Sequence, residues 1–261
     1  MSIERPTHFH QEKQFPPILN RVAEIHGIKL TDEEINNIEI IVTTCGIADD
    51  IIDQCPDPEV RKAIAENAFL FLEDKQDELL PTQSRIHPAY EESMGLLKDF
   101  VISQPLYKRE VFISCLRIWN KLSERRRAEE DLNRSLKLRK ADLGFTASIY
   151  LAGISENNRS NPEYRKFVKD VKRMVRIAGM LDDASDLPRD FNDKVVPITP
   201  NLGNRTRILG DGVFMGMRLM KCLFNVELVY RSFEIMVREF KRRGEHNTDQ
   251  YKFQQQSKTE Y

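Results

Sequence analysis

Two short runs of acid are the residues of this sequence best suited to chemistry. Asp49-Asp50-Ile51-Ile52-Asp53 and Asp182-Asp183-Ala184-Ser185-Asp186 both read D-D-x-x-D. On a helix, Asp49 and Asp53 share a face one turn apart, and so do Asp182 and Asp186. Like charges at that spacing repel and weaken the helix. A divalent cation would relieve the repulsion. Carboxylate oxygens suit Mg²⁺, which keeps several waters and bridges readily to substrate phosphates. One such motif is a weak signal, because a solvated helix end can be acidic; two copies in matching surroundings are a stronger one.

The surroundings do match. Pro56 follows the first motif and Pro188 the second. Proline cannot continue a helix and biases the preceding residue away from α. Both triplets are therefore expected in the last turns of helices, where backbone carbonyls favour positive charge. Ile47, Ile51 and Ile52 flank one motif, Met180 and Leu181 the other. The carboxylates are expected at the mouth of an apolar bundle.

The elements that must position them are helical. Period-3.6 patterning recurs along the chain without strand-like alternation, and this predicts an all-α, antiparallel bundle. Helices are expected over about 17–28, from Thr31 or Asp32 to the first motif, then over about 58–80, 88–103 and 105–131. Further helices are expected from Asn133 or Ser135 to Gly153, then over about 163–187 and 205–242. Residues 1–16 read as an N-terminal arm, 17–243 as one helical domain, and 244–261 as a polar, disordered tail.

Composition narrows the function classes. Forty Lys and Arg stand against 41 Asp and Glu, so no global field points to nucleic acid. The four cysteines are scattered and form no C-x-x-C pair, which reads as reduced thiols in the cytoplasm. No stretch is long and apolar enough to span a bilayer, so any membrane contact is expected to be peripheral. The basic stretch 123–140 interleaves Arg and Lys with Glu and Asp, which reads as a solvated helix surface.

The paired motifs resemble those of the class I isoprenoid synthases, and among them the trans-prenyltransferases. The second motif with its lead-in, IAGMLDDASDLPRD, is similar to that family's second aspartate region, with Asp190 as the later acid. The stretch LRKADLGFTASIYLAG at 138–153 resembles the family's lysine-containing helix, with Ala141 where a threonine is usual. The resemblance implies a helical bundle around a central apolar cavity, and Mg²⁺ held by Asp49, Asp50, Asp53, Asp182, Asp183 and Asp186. It implies a prenyl diphosphate substrate, with Asp49, Asp53, Asp182, Asp186 and Lys140 as catalytic residues. Lys140 would bind the diphosphate, with Arg189 and Lys194 as further candidates, and a homodimer is usual in the family.

Departures from the family pattern shape the expected activity. The G-G-K-R-x-R-P segment upstream of the first motif is missing, and the arginine pair after it is replaced by QCPDPEVRKAI. In the family those elements bind isopentenyl diphosphate, so ordinary chain elongation is not expected. Transfer of a C15–C20 prenyl group to another acceptor is the favoured expectation, as in compact members of the family. Cyclisation by a terpene synthase is the alternative, although the second motif and C-terminal Arg-Tyr pair usual in bacterial cyclases are both absent. A non-catalytic partner subunit or helical scaffold is a third reading.

Overall fold

A computed structural model describes residues 15–53, 55, 57–79, 89–192 and 196–223. Every regular element among them is helical. The elements are α1 (Phe15–Ile25), α2 (Asp32–Asp53), α3 (Pro58–Leu72), α4 (Tyr90–Ser103), α5 (Leu106–Arg127) and α6 (Leu132–Tyr150). A 3-10 turn at Leu151–Gly153 follows, then α7 (Glu156–Arg159), α8 (Tyr164–Asn192) and α9 (Leu202–Leu223). The all-α expectation holds. The expected arm boundary at residue 16 falls inside α1, and the polar tail lies outside the described residues.

Side-chain caps start the helices where the sequence places them. Thr31 is the N-cap of α2: its hydroxyl accepts from the Glu34 amide at 3.2 Å, and Glu34 accepts from the Thr31 amide at 2.8 Å. This reciprocal pair satisfies two amides that the helix cannot. Asp57 caps α3 ahead of Pro58, and Asp131 caps α6 by accepting from the Arg134 amide at 2.9 Å. Glu34 also accepts from the Ser155 amide and from Asn158, tying α2 to the turn before α7.

Two helix ends differ from expectation. α3 stops at Leu72 instead of running to about 80. Asp74 adopts a positive φ of 59°, and the Lys75 amide turns back to the Leu70 carbonyl at 2.9 Å. That reversal closes the helix without glycine or proline. In contrast, α8 runs straight through Pro188 to Asn192. Pro188 has no amide hydrogen for the Ala184 carbonyl, four residues back. Arg205 Nε from α9 donates to that carbonyl at 3.2 Å. The second motif therefore lies within a continuing helix, not in the last turn before a stop, whereas Asp53 does end α2.

The core has two parts that meet at α2. Leu19, Ile38, Val42, Leu143, Phe167 and Met180 join α1, α2, α6 and α8. Ile41, Cys45, Ile51, Phe69, Leu97 and Phe112 join α2, α3, α4 and α5. α2 thus buries side chains on both sides, more than the single stripe its periodicity suggests. Tight contact between α6 and α8 depends on small residues. A Cβ at Gly179 would collide with Leu143, and Arg176 lies directly over Gly144. This approach brings Arg139 on α6 within reach of Asp183 on α8.

Candidate functional site

The two aspartate motifs converge on a cluster of arginines from α5 and α6. Arg139 grips Asp183 with two bonds, Nε to Oδ2 at 2.9 Å and Nη2 to Oδ1 at 2.8 Å. Arg126 adds a third contact to Asp183 at 3.3 Å. From the first motif, Asp49 receives Arg127 Nη2 at 3.5 Å. Burial alone would weaken the charge on Arg139. Asp183, Asp142 and Asp49 together more than offset that effect and raise its pKa above the ordinary arginine value. The two motifs thus face one arginine cluster, Arg126 and Arg139 at Asp183 and Arg127 at Asp49.

The cluster extends into a network across five helices. Arg139 also donates to Asp142 at 2.8 Å, and Ser123 donates to the other Asp142 oxygen at 3.2 Å. Arg127 donates to Glu124 at 3.2 Å. Arg61 donates twice to Glu124, at 2.9 and 3.0 Å, and once to the Cys55 carbonyl at 2.8 Å. Arg126, Arg127 and Asp142 are buried, and the Nε of Arg126 is buried with no hydrogen-bond partner among the described residues. The stretch 123–140 is thus solvated on one side only: Arg125, Arg134 and Lys137 are exposed, while Arg126 and Arg127 are buried and Arg139 is half-buried. Arg126, Arg127 and Arg139 turn inward towards Asp183 and Asp49 on other helices, partners that sequence spacing does not reveal.

The remaining residues implied by the resemblance fall as follows. Asp186 is buried and Asp182 half-buried; Ser185 donates to the Asp182 carbonyl at 2.7 Å and to Asp186 Oδ1 at 3.3 Å. Lys140 turns to α9 and pairs with Asp211 at 2.6 Å. Asp190 lines a cleft with Arg126, Ser135, Arg139, Asp183 and Ile208. The side chains of Asp50, Asp53 and Arg189, and all of Lys194, lie outside the described residues.

Carboxylate donors suit Mg²⁺, which commonly takes only one or two protein carboxylates and completes its shell with water and phosphate. Among the described residues, no three His, Cys, Asp or Glu side chains gather as a metal site. Asp49, Asp182 and Asp186 offer carboxylate oxygens, the donor type that Mg²⁺ takes, with Asp186 buried and Asp182 half-buried. Asp183 is committed to two arginines. The cleft beside it holds about 30 Å³, room for about two waters. Among the described residues, no helix is long and apolar enough to cross a membrane.

Comparison of the chain with protein-family models, with curated proteins and with solved structures gave no match.

Proposed function

We propose that this chain binds an allylic prenyl diphosphate of C15–C20 length, ionises it with Mg²⁺ and passes the prenyl group to an acceptor other than isopentenyl diphosphate. The observation that carries this reading is the approach of both aspartate motifs to one arginine cluster: Arg139 and Arg126 bond Asp183, and Arg127, next to Arg126, reaches Asp49. Acids that would hold cations and arginines that would hold phosphate oxygens stand together, as an anionic leaving group requires.

In this reading Asp49, Asp53, Asp182 and Asp186 would hold Mg²⁺, and Asp50 and Asp183 would orient its bound water. The ion would neutralise charge on the departing diphosphate. Arg126 and Arg139 donate N–H groups to phosphate oxygens, and Lys140, Arg189 and Lys194 supply further positive charge. The C–O bond breaks with its electron pair leaving on the diphosphate. The allylic carbon then forms a bond to the acceptor, which loses a proton. The apolar side chains of α2, α3, α4 and α5 beneath Asp49 receive the prenyl chain and exclude water. The cleft by Asp183, bounded by α5, α6, α8 and α9, is too small for such a chain; the reading requires the packed helices α2, α3, α4 and α5 to part when substrate binds.

A second reading is favoured by one observation. Asp183 already takes three arginine contacts, as a carboxylate in a purely structural network would. A non-catalytic helical subunit would carry such a network permanently. Incubation with C10, C15 and C20 diphosphates plus Mg²⁺, followed by extraction, separates the readings. Transfer predicts prenylated product only when an acceptor is added. Hydrocarbons or cyclic alcohols without acceptor would identify a cyclase, and unchanged substrate under all conditions would leave the structural reading.

A further inference from the structure

The two motifs meet their arginines at different distances. Arg139 closes two bonds on Asp183, at 2.9 and 2.8 Å. Arg127 reaches Asp49 through Nη2 at 3.5 Å, longer than an ordinary hydrogen bond. Yet Arg127 is the more buried of the two, with 4% of its side chain exposed against 16% for Arg139. A guanidinium so shielded gains the more from a close, two-pronged carboxylate. The Asp49 side chain stays 46% exposed.

Glu124 explains the difference. It stands one turn before Arg127 on α5 and accepts from Arg127 Nη1 at 3.2 Å. Arg61 of α3 fixes the same carboxylate from the other side, with Nε to Oε1 at 2.9 Å and Nη2 to Oε2 at 3.0 Å. Arg61 is itself anchored, because its Nη1 donates to the Cys55 carbonyl in the segment that leaves the first motif. Locked in this way, Glu124 draws the Arg127 fork along its own helix. The guanidinium charge is then shared between Glu124 and the first motif. With a neutral group in place of Glu124, Arg127 would turn its full charge on Asp49 and the pair would close. A carboxylate closed on a guanidinium has fewer lone pairs and a weaker field to offer a cation.

We propose that Glu124 is a positioning residue for the first motif: it holds Arg127 back from Asp49 and so keeps that carboxylate open to a divalent cation. Arg61 serves the same end by fixing Glu124. The inference rests on the reading of Asp49 as a Mg²⁺ ligand and adds to it the residues that set how tightly the ion is held.

Titration of the full chain with Mn²⁺, read by the electron paramagnetic resonance of the free ion, tests this. Mn²⁺ takes the same oxygen ligands as Mg²⁺. The site read is the one that Asp49→Ala removes. Glu124→Gln keeps the shape and loses the charge, and is expected to weaken binding about tenfold. Loss of a nearby negative charge would weaken binding too, so the cycle is completed with Arg127→Met. If Glu124 acts through Arg127, the Arg127 change strengthens binding clearly more in the Glu124→Gln background than in the wild type. Equal effects in both backgrounds, or wild-type affinity in Glu124→Gln, would overturn the proposal alone. No uptake by the wild type with or without pyrophosphate, or uptake that Asp49→Ala leaves unchanged, would overturn it together with the reading of the first motif. If a variant in the cycle loses helical circular dichroism, Arg61→Lys decides. It keeps every charge but loses the fork on Glu124, and is expected to weaken Mn²⁺ binding about threefold; unchanged affinity there contradicts the proposal.

Discussion

Arg139 and Asp142 stand one turn apart on α6, joined at 2.8 Å with the carboxylate wholly shielded from water. The same guanidinium reaches across to Asp183 on α8. A buried carboxylate that loses its arginine partner is costly to strand. Arg139→Met should therefore destabilise the fold by about 3–5 kcal/mol in urea denaturation. Arg139→Lys keeps the charge but loses the two-pronged geometry, and should fall between that variant and wild type. Unchanged stability in Arg139→Met would mean that the buried network does not form.

Glu34 offers a prediction with a pH signature. Burial pushes its carboxyl up, but hydrogen bonds from Ser155, Thr31 and Asn158 outweigh burial and hold its pKa below the ordinary 4.5. A lowered folded pKa gives stability that is present above the unfolded value and lost as pH falls through the folded one. Glu34→Gln should cost about 1–2 kcal/mol at pH 7. The gap from wild type should hold down to about pH 4.5 and close below it. A gap that stays constant from pH 7 to well below pH 4 would show that the charge on Glu34 contributes nothing.

Arg205 and Pro188 form a testable pair on α8 and α9. Arg205→Ala strands the Ala184 carbonyl and should cost about 1–2 kcal/mol. Pro188→Ala supplies an amide four residues on, so the same Arg205 change should cost clearly less in that background. Equal costs in both backgrounds, measured by thermal or urea unfolding as a double-mutant cycle, would separate the two residues.

Much of the fold is legible in the sequence because its signals are local. The Thr31–Glu34 box starts α2, and Asp57-Pro58 starts α3. Period-3.6 patterning locates most helices to within a few residues. Where the reading fails, the cause is tertiary. α8 passes Pro188 because Arg205, on another helix, supplies the missing donor. α3 ends early because Asp74 takes a left-handed conformation that its residue type does not announce. The two acidic motifs are visible from their own spacing. Arg126, Arg127 and Arg139 are not, because interleaved acids make 123–140 look solvated, while Asp49 and Asp183 draw these arginines inward from other helices. Lys140, singled out by family resemblance, pairs with Asp211 on α9, a partner no local pattern suggests.

Release of pyrophosphate tests the central claim most directly. Farnesyl or geranylgeranyl diphosphate with Mg²⁺ should yield pyrophosphate, provided an acceptor is present, and chelation of the metal should stop it. Asp49→Ala and Asp182→Ala should each lower the rate by at least about a hundredfold. Turnover that survives both changes, or no release from C10, C15 or C20 substrate with a panel of acceptors, would contradict the account.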